Sequence, residues 1–260
     1  MTDVSSSRWA RWIGLSRRSA RWQSGAGWAP ASDHDPHGGL AGQAEHVAGQ
    51  AEHVAGQGAP VDPSTPLFEV PFVVLDVETT GGSPTSAALT EIAAARYQGG
   101  ECLGVLQTLV DPQQDIPPLI TILTGISDPM VQEAPRVQAV LPSLIEFVRG
   151  AVVVGHNVSF DMSFLNAALV ASGREPLTNQ VVDTLALARR MLRPDVPNCR
   201  LATLARELDL EHRPTHRALE DVRATADLLH GLIERASGYG VFVLAELIEL
   251  PSVLPSVRAS

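Results

Sequence analysis

An apolar run that ends in two acids dominates the pattern of this 260-residue chain. Phe72-Val-Val-Leu is followed directly by Asp76, Val77 and Glu78. Because side chains alternate along a β-strand, Asp76 and Glu78 are expected on the same face. Two adjacent carboxylates at a buried strand end repel each other and lose solvation, and a divalent metal removes that cost. Asp-x-Glu is also common at exposed strand ends, so this motif does not by itself predict a metal site.

The spacing of apolar residues predicts an α/β fold. Strands are expected at Phe72–Leu75, Glu91–Gln98, Cys102–Val110, Ala151–Val154 and Val181–Val182. Helices are expected at 118–126, 137–148, 160–172, 184–193, 200–209 and 217–236, with a further one at 239–250. Three strands in a meander, followed by alternating helices and strands, predict a mixed central sheet flanked by helices.

The N-terminal region differs from the rest of the chain. All four tryptophans lie among arginines in residues 1–28, and a Gly-, Pro- and His-containing stretch with a seven-residue repeat at 41–54 follows. Such a segment buries too little apolar surface to offset its ordering entropy. We therefore expect a flexible, disordered tail over 1–66, although the Arg/Trp stretch would also suit nucleic acid, an acidic membrane surface or a protein partner. The single folded domain is expected over 67–236, with a C-terminal helix and tail over 237–260.

Composition restricts the classes of protein. The net charge of -10 argues against a tight, non-specific nucleic-acid-coating protein, but not against an enzyme that holds nucleic acid through bound cations. The two cysteines, Cys102 and Cys199, lack the spacing of a thiolate zinc site or a disulfide scaffold. The chain shows neither a membrane-spanning run nor a secretory signal, so a cytoplasmic location without membrane contact is expected.

Two further motifs carry acids. Gly155-His-Asn-Val-Ser-Phe precedes Asp161, which falls in the first turn of a predicted helix. His216-Arg-Ala-Leu-Glu precedes Asp221. Asp221 lies at the flank of the apolar stripe of the helix predicted over 217–236. Acids in a first turn also complement the helix dipole, and a histidine before a helix is often a surface residue. Each motif alone is therefore compatible with an ordinary structural role.

In this order and spacing, the three motifs resemble those of the DEDDh (DnaQ-like) 3′→5′ exonucleases, which include the proofreading epsilon subunit of bacterial DNA polymerase III. The resemblance runs from Phe72 to His230 and includes Leu123-Thr-Gly-Ile126. It implies an RNase H-like fold, a central mixed sheet with an acidic site at one edge of its strands. It also implies removal of nucleotides one at a time from a strand end.

The resemblance assigns roles to matching residues. Asp76, Glu78, Asp161 and Asp221 would hold two Mg²⁺ or Mn²⁺ ions, and these four acids with the general base His216 would be the catalytic residues. A two-metal site suits phosphodiester hydrolysis, because it serves both the attacking and the departing oxygen. Four carboxylates suit Mg²⁺ better than zinc, and a histidine of near-neutral pKa can accept a proton from water.

Substrate contacts follow from the same motifs. Residues expected to line the nucleotide pocket are Thr79, Thr80, Gly81, Asn157 and Phe164. One position departs from the family pattern: many members have a bulky apolar residue after the Thr-Gly of the first motif, and this chain has Gly82. A further acid, Asp183, follows a short strand and precedes a helix, and we interpret it as a helix cap.

Several functional alternatives stay open at this point. The substrate is expected to be a single-stranded or mispaired 3′ end of DNA, but the same site would trim RNA, and the choice depends on contacts to the 2′-OH. A catalytically silent module that binds nucleic acid or a polymerase is disfavoured because all five motif residues are present. Domains of this type also act as subunits, so a DNA polymerase or a repair nuclease is a candidate partner.

Overall fold

The computed structural model describes residues 58–250, so the predicted tail up to residue 57, and residues 251–260, lie outside the described part. The strands are β1 (Phe72–Thr79), β2 (Leu89–Gln98), β3 (Glu101–Leu109), β4 (Val152–Gly155) and β5 (Val181–Asp183). The helices are α1 (Pro118–Thr124), α2 (Asp128–Val131), α3 (Val137–Val148), α4 (Val158–Ala171), α5 (Thr184–Met191), α6 (Leu201–Glu207), α7 (Ala218–Ser237) and α8 (Leu244–Ile248).

The five strands form one mixed sheet in the order β3-β2-β1-β4-β5. β1, β2 and β3 are antiparallel neighbours, whereas β4 and β5 run parallel to β1. β1 pairs with β4 only over Phe72–Val74, and its pairing with β2 shifts register between Glu78 and Thr79. The C-terminal end of β1 therefore extends beyond its pairing with β4, and its pairing with β2 is irregular. Irregularities of this kind are common where a strand adjoins a functional site. The mixed α/β architecture expected from the sequence is confirmed.

The two faces of β1 are covered by different helices. Val73, Leu75 and Val77 are buried in one core cluster with residues of α3 and α4. Since side chains alternate, Asp76 and Glu78 point to the opposite face, where α7 packs on β1 and β2. α5 and α6 pack on α7 in turn. The long helix that carries the third motif is thus set directly against the strand that carries the first.

Four predicted helices are shorter in the structure, those at 118–126, 184–193, 200–209 and 239–250, and the cause is visible for the first and the last. The helix expected over 118–126 ends at Thr124, because Gly125 adopts a left-handed backbone (φ 72°) and its N–H caps the carbonyl of Thr121. The helix expected over 239–250 covers only Leu244–Ile248. Before it, Val243 pairs as an isolated bridge with Pro66, and the N–H of Leu244 donates to the carbonyl of Thr65. Apolar periodicity could not reveal this long-range pairing.

Candidate active site

The first motif lies at the free end of β1. Asp76 and Glu78 share the face that α7 covers, and Val77 between them is buried in the opposite core. Ligand oxygens of Asp76, Glu78 and Asp221 all lie within 4.8 Å of one another. Residues separated by up to 145 positions in the chain are therefore brought to one point by the packing of α7 on β1.

Asp221 fixes the backbone of the third motif through hydrogen bonds. Asp221, in the first turn of α7, is only 9% exposed. Its Oδ1 accepts the backbone N–H of Thr215 at 2.8 Å and that of His216 at 3.2 Å. His216 is exposed and adopts a left-handed backbone (φ 59°), which is costly for a residue with a Cβ. The bend before α7 therefore places the His216 ring at the surface next to Asp221.

Asp161 lies near this cluster but is not among the three acids whose oxygens converge within 4.8 Å. It lies in the first turn of α4 and is 4% exposed. Its Oδ1 accepts the N–H of Val77 at 3.0 Å, a group that β4 leaves unpaired because β4 stops pairing at Val74. Asp161 therefore fixes the backbone between Asp76 and Glu78, and its charge acts on both of them.

Burial raises the pKa of all four carboxyl groups of the site, and neighbouring acids raise it further for Asp76 and Glu78. Burial raises the pKa of Asp76 well above its ordinary value, and the charges of Asp161, Asp221 and Glu78 raise it further. Burial, with the charge of Asp221, raises the pKa of Glu78 to about 8. Burial raises the pKa of Asp161 to about 7, against the opposing effect of the Val77 N–H, and burial also raises that of Asp221.

Within residues 58–250 none of these four acids forms an ion pair. The carboxyl groups of Asp76 and Glu78 accept no hydrogen bond from that part of the chain either. Crowded carboxylates that lack a cation and have raised pKa values fit a divalent cation with oxygen ligands. The donor set therefore suits Mg²⁺ or Mn²⁺.

A fifth acid, Glu91 on β2, was not singled out from the sequence. It is 1% exposed and lies opposite Glu78 in the register of β1 and β2. Arg217 donates to both of its carboxylate oxygens, at 3.0 Å each. Burial acts to raise the pKa of Glu91, but the hydrogen bonds of Arg217, Gln107 and the Ala218 amide together lower it. The signal available in the sequence was a lone acid in the otherwise apolar run of β2.

The predicted pocket residues of the first motif form a tight loop. Thr79 and Thr80 are buried, and their hydroxyls are used internally: that of Thr79 donates to the carbonyl of Gly81, and that of Thr80 accepts from the N–H of Ala88. Gln114, which the sequence did not single out, also donates to the Thr80 hydroxyl. Substrate would therefore meet mainly the backbone of this loop.

The predicted pocket residues of the second motif differ in accessibility. Asn157 is exposed, has a left-handed backbone (φ 75°), and donates its N–H to Asp183 at 3.0 Å. Phe164 is only 3% exposed and packs against Phe160 with ring centroids 5.0 Å apart. Asp183 also accepts the N–H of Leu185 at 2.9 Å, which confirms its interpretation as the cap of α5.

The sequence that forms this site matches a known protein family. The model of the RNase_T exonuclease family matches residues 73–229, the span that contains all three motifs. The chain belongs to this family. The expected membership of the DnaQ-like exonucleases is thereby confirmed.

The relatives are longer than this chain. A Mycobacterium tuberculosis protein named as a bifunctional exonuclease/endonuclease is 48% identical over 200 residues, which are 74% of this chain and 31% of that protein. A PolC-type DNA polymerase III of Caldanaerobacter subterraneus is 38% identical over 176 residues, 68% of this chain and 12% of the polymerase. This member of the RNase_T family thus spans only a part of the length of these relatives.

Solved structures agree on the fold. An exonuclease X in complex with 5′-overhanging duplex DNA is 25% identical with a TM-score of 0.53, over 68% of this chain and 99% of that one. An Escherichia coli exonuclease I in complex with a dA16 oligonucleotide is 21% identical with a TM-score of 0.59, over 65% of this chain and 42% of that one. The expected RNase H-like fold is confirmed.

None of the described helices is both long and apolar enough to cross a bilayer.

Proposed function

We propose that this chain is a metal-dependent 3′→5′ exonuclease that hydrolyses phosphodiester bonds at the 3′ end of DNA, in a proofreading or repair setting. The observation that carries the proposal is the convergence of Asp76, Glu78 and Asp221 within 4.8 Å, with raised pKa values and no cation among the described residues to pair with them. A structural role would not require such a cluster, since unpaired buried acids destabilise a fold.

The proposed metal ligands are Asp76, Glu78, Asp161 and Asp221, for two Mg²⁺ or Mn²⁺ ions. When bound, such a pair of cations supplies Lewis-acid stabilisation of the scissile phosphate and of the departing oxygen. The four acids complete the site by offering oxygen ligands from three separate elements. Asp161 has a second task, because its bond to the Val77 N–H keeps Asp76 and Glu78 in register.

His216 is proposed as the general base. Its ring is exposed beside Asp221, so an imidazole nitrogen can accept a proton from the attacking water. The water oxygen forms the new bond to phosphorus, the bond from phosphorus to the 3′-oxygen of the preceding nucleotide breaks, and that oxygen takes up a proton. The products are a nucleoside 5′-monophosphate and a strand one nucleotide shorter with a 3′-hydroxyl.

Terminal-nucleotide binding is assigned to Thr79, Thr80, Gly81, Asn157 and Phe164. The backbone of Thr79–Gly81 and the exposed Asn157 would contact the nucleotide directly. Phe164 would support the pocket wall from within the core, through the partly exposed ring of Phe160.

DNA is proposed as the substrate because the relatives include DNA polymerases of the PolC type and the aligned exonuclease X is described with DNA. For the same reason, a DNA polymerase or a repair nuclease is the proposed partner. The catalytic domain is assigned to 67–236, between a tail (1–66) and a C-terminal helix with its tail (237–260). Limited proteolysis of the whole chain, followed by mass spectrometry, tests these boundaries.

The activity test uses 5′-labelled oligomers: single-stranded DNA, a mismatched primer-template and RNA, each with Mg²⁺, Mn²⁺ or EDTA. We expect a metal-dependent ladder that shortens from the 3′ end, most rapidly on DNA, and its absence in Asp76→Asn. Immediate release of a labelled mononucleotide would instead show the opposite polarity. Preferred cleavage of RNA would replace DNA as the substrate. A folded, metal-binding protein that cuts none of the oligomers would favour a silent binding module.

A further inference from the structure

Glu91 is a buried acid whose hydrogen-bonding capacity is fully used. Its Oε2 accepts Arg217 Nε at 3.0 Å and the backbone N–H of Ala218 at 3.1 Å. Its Oε1 accepts Arg217 Nη2 at 3.0 Å and Gln107 Nε2 at 2.9 Å. The guanidinium–carboxylate pair is therefore bidentate, which fixes orientation as well as distance. All of these donors except Gln107 belong to the start of α7, more than 120 positions along the chain.

α7 depends on this distant acid for its N-terminus. Arg217, its N-cap residue, makes no side-chain capping bond of its own. The N–H of Ala218, the first residue of the helix, donates to Glu91 instead. An unpaired amide at a buried helix end is destabilising, so Glu91 supplies the missing cap from the neighbouring sheet. The first turn of α7, with Asp221 on it, is thereby tied to β2.

The same pair adjoins the strained bend. His216 immediately precedes Arg217 and adopts a left-handed backbone (φ 59°). Such a conformation persists only where neighbouring structure holds it. On one side, the His216 N–H is bound by Asp221, and on the other, the Arg217 side chain is clamped by Glu91. Both ends of the bend are thus fixed.

Stability alone does not account for an ion pair at this place. Replacing a buried ion pair by well-packed apolar residues is often neutral or stabilising. β2 otherwise presents Leu89, Ile92 and Ala93–Ala95 to the interior, so the strand accommodates apolar side chains readily. What an apolar pair would not provide is the directional link from the sheet to the backbone beside His216.

We propose that Glu91, through Arg217 and the Ala218 amide, is a positioning residue that sets His216 and Asp221 for hydrolysis. The proposal rests on the proposed exonuclease function. Glu91 touches neither substrate nor metal in this scheme. It acts on the rate of the reaction by fixing the bend from Thr215 to Ala218.

The experiment compares Glu91→Gln and Arg217→Ala with Asp209→Asn in the whole chain. Asp209 is the matched control: it pairs with Arg213 on the same approach to α7, is exposed, and has a left-handed backbone that asparagine tolerates. Three measurements are made: steady-state kinetics on a DNA oligomer, which give kcat and KM, the melting temperature, and hydrogen–deuterium exchange of the peptide over 213–222. Exchange does not depend on activity.

We expect kcat to fall about tenfold to hundredfold in Glu91→Gln, the range found when groups that orient active-site ligands are removed, with KM nearly unchanged. Exchange should rise at 213–222 and should not rise in the strands of the sheet. In Arg217→Ala, guanidinium at about 10 mM, far below denaturing concentrations, should restore part of kcat, whereas methylammonium, which lacks the planar fork, should not. Asp209→Asn should resemble the wild type in all three measurements.

Unchanged exchange and kcat in Glu91→Gln would overturn the proposal, as would increased exchange throughout the domain, which indicates a merely structural ion pair. If Glu91→Gln does not fold, Arg217→Ala and its response to guanidinium decide, because the Arg217 side chain is partly exposed. A wild-type chain without nuclease activity would overturn the proposed function. The difference in exchange at 213–222 between the wild type and Glu91→Gln would still report whether Glu91 holds the bend.

Discussion

Glu78 and Glu91 lie directly opposite each other in the antiparallel pair of β1 and β2, yet their carboxyl groups have opposite environments. Burial and the charge of Asp221 raise the pKa of Glu78 to about 8. The four hydrogen bonds to Glu91 lower its pKa despite burial. Glu91 thus forms an ion pair with Arg217, whereas Glu78 has no such partner among the described residues and is proposed to bind a metal cation.

Metal affinity should therefore depend on pH. With pKa values raised to about 7 and about 8, the carboxyl groups of Asp161 and Glu78 are largely protonated near pH 6 and lose their protons as the pH rises past 8, so a metal must displace more protons at the lower pH. The apparent Kd for Mn²⁺ should fall about tenfold per pH unit for each proton displaced. Isothermal titration calorimetry in buffers of different ionisation enthalpy measures both the Kd and the proton release. An affinity independent of pH would contradict the raised pKa values.

The same linkage gives the metal-free protein an unusual stability profile. The pKa of Glu78 rises from 4.5 to about 8 on folding, so the folded chain binds more protons than the unfolded chain in that range. Its contribution to stability is present below about pH 4.5 and is lost as pH rises through about 8. The melting temperature in EDTA should therefore fall over this window, and Mg²⁺ should restore it most at high pH.

Asp76→Asn should separate stability from activity. The substitution keeps the shape of the side chain but removes one charge from a crowded cluster, so the metal-free protein should gain on the order of 1 kcal/mol in unfolding free energy. Because a proposed metal ligand is lost, kcat should fall on the order of a thousandfold or more. Urea unfolding in EDTA and an oligomer assay measure the two effects. Glu101→Gln, at an exposed position on β3, is the control and should change neither.

His216→Asn tests the general base without disturbing the backbone. Asparagine tolerates the left-handed conformation seen at this position, so the melting temperature should stay close to that of the wild type. Loss of the proton acceptor should lower kcat about a hundredfold to ten-thousandfold. His216→Val, which is β-branched, should lower both quantities. Full activity in His216→Asn would remove His216 from the mechanism.

Asp183→Ala should affect stability more than catalysis. Its Oδ1 accepts two backbone N–H groups, those of Leu185 and Asn157, and loss of such a cap costs about 1–2 kcal/mol. Asp183→Asn keeps an acceptor oxygen and should recover most of that loss. Thermal unfolding and kcat are compared for both variants. A correctly folded but inactive Asp183→Ala protein would show instead that Asp183 belongs to the reaction.

Gly82→Leu should strengthen the hold on the terminal nucleotide. A Cβ at Gly82 meets no atom within 4 Å, so a larger side chain has room beside the proposed pocket. Contact with the terminal base should lower KM about threefold to tenfold, equivalent to about 1 kcal/mol of apolar burial, with kcat nearly unchanged. Gly82→Ala, which is too short to reach a base, is the control. An increase in KM would show that this space is needed by the substrate.

The sequence predicted the parts of the site that follow local rules. Strand alternation placed Asp76 and Glu78 on one face, and the flank of an apolar stripe placed Asp221 toward a cleft. Both are periodic properties of short segments. The convergence of these segments was expected from the family resemblance, and spacing alone did not establish it.

Contacts between distant segments escaped prediction. Arg217 and Ala218, two partners of Glu91, lie 126 and 127 positions away from it. The last helix is shortened by the pairing of Pro66 with Val243, which lie on opposite sides of the proposed 67–236 domain in the sequence. No local periodicity reports such pairings. The lone acid within the apolar β2 run was a usable signal, because a buried carboxylate requires donors from somewhere in the fold.

The placement of Asp221 on α7, while Asp76 lies on β1, affects when the activity first exists during synthesis of the chain. A ribosome that has made the whole sheet and the six helices α1 to α6 has still not made the helix that completes the acidic cluster. Until α7 emerges and packs on β1 and β2, the nascent protein has three of the four proposed metal ligands and lacks the proposed general base, His216. Under the proposed mechanism, a chain that ends before residue 216 would therefore lack hydrolytic activity.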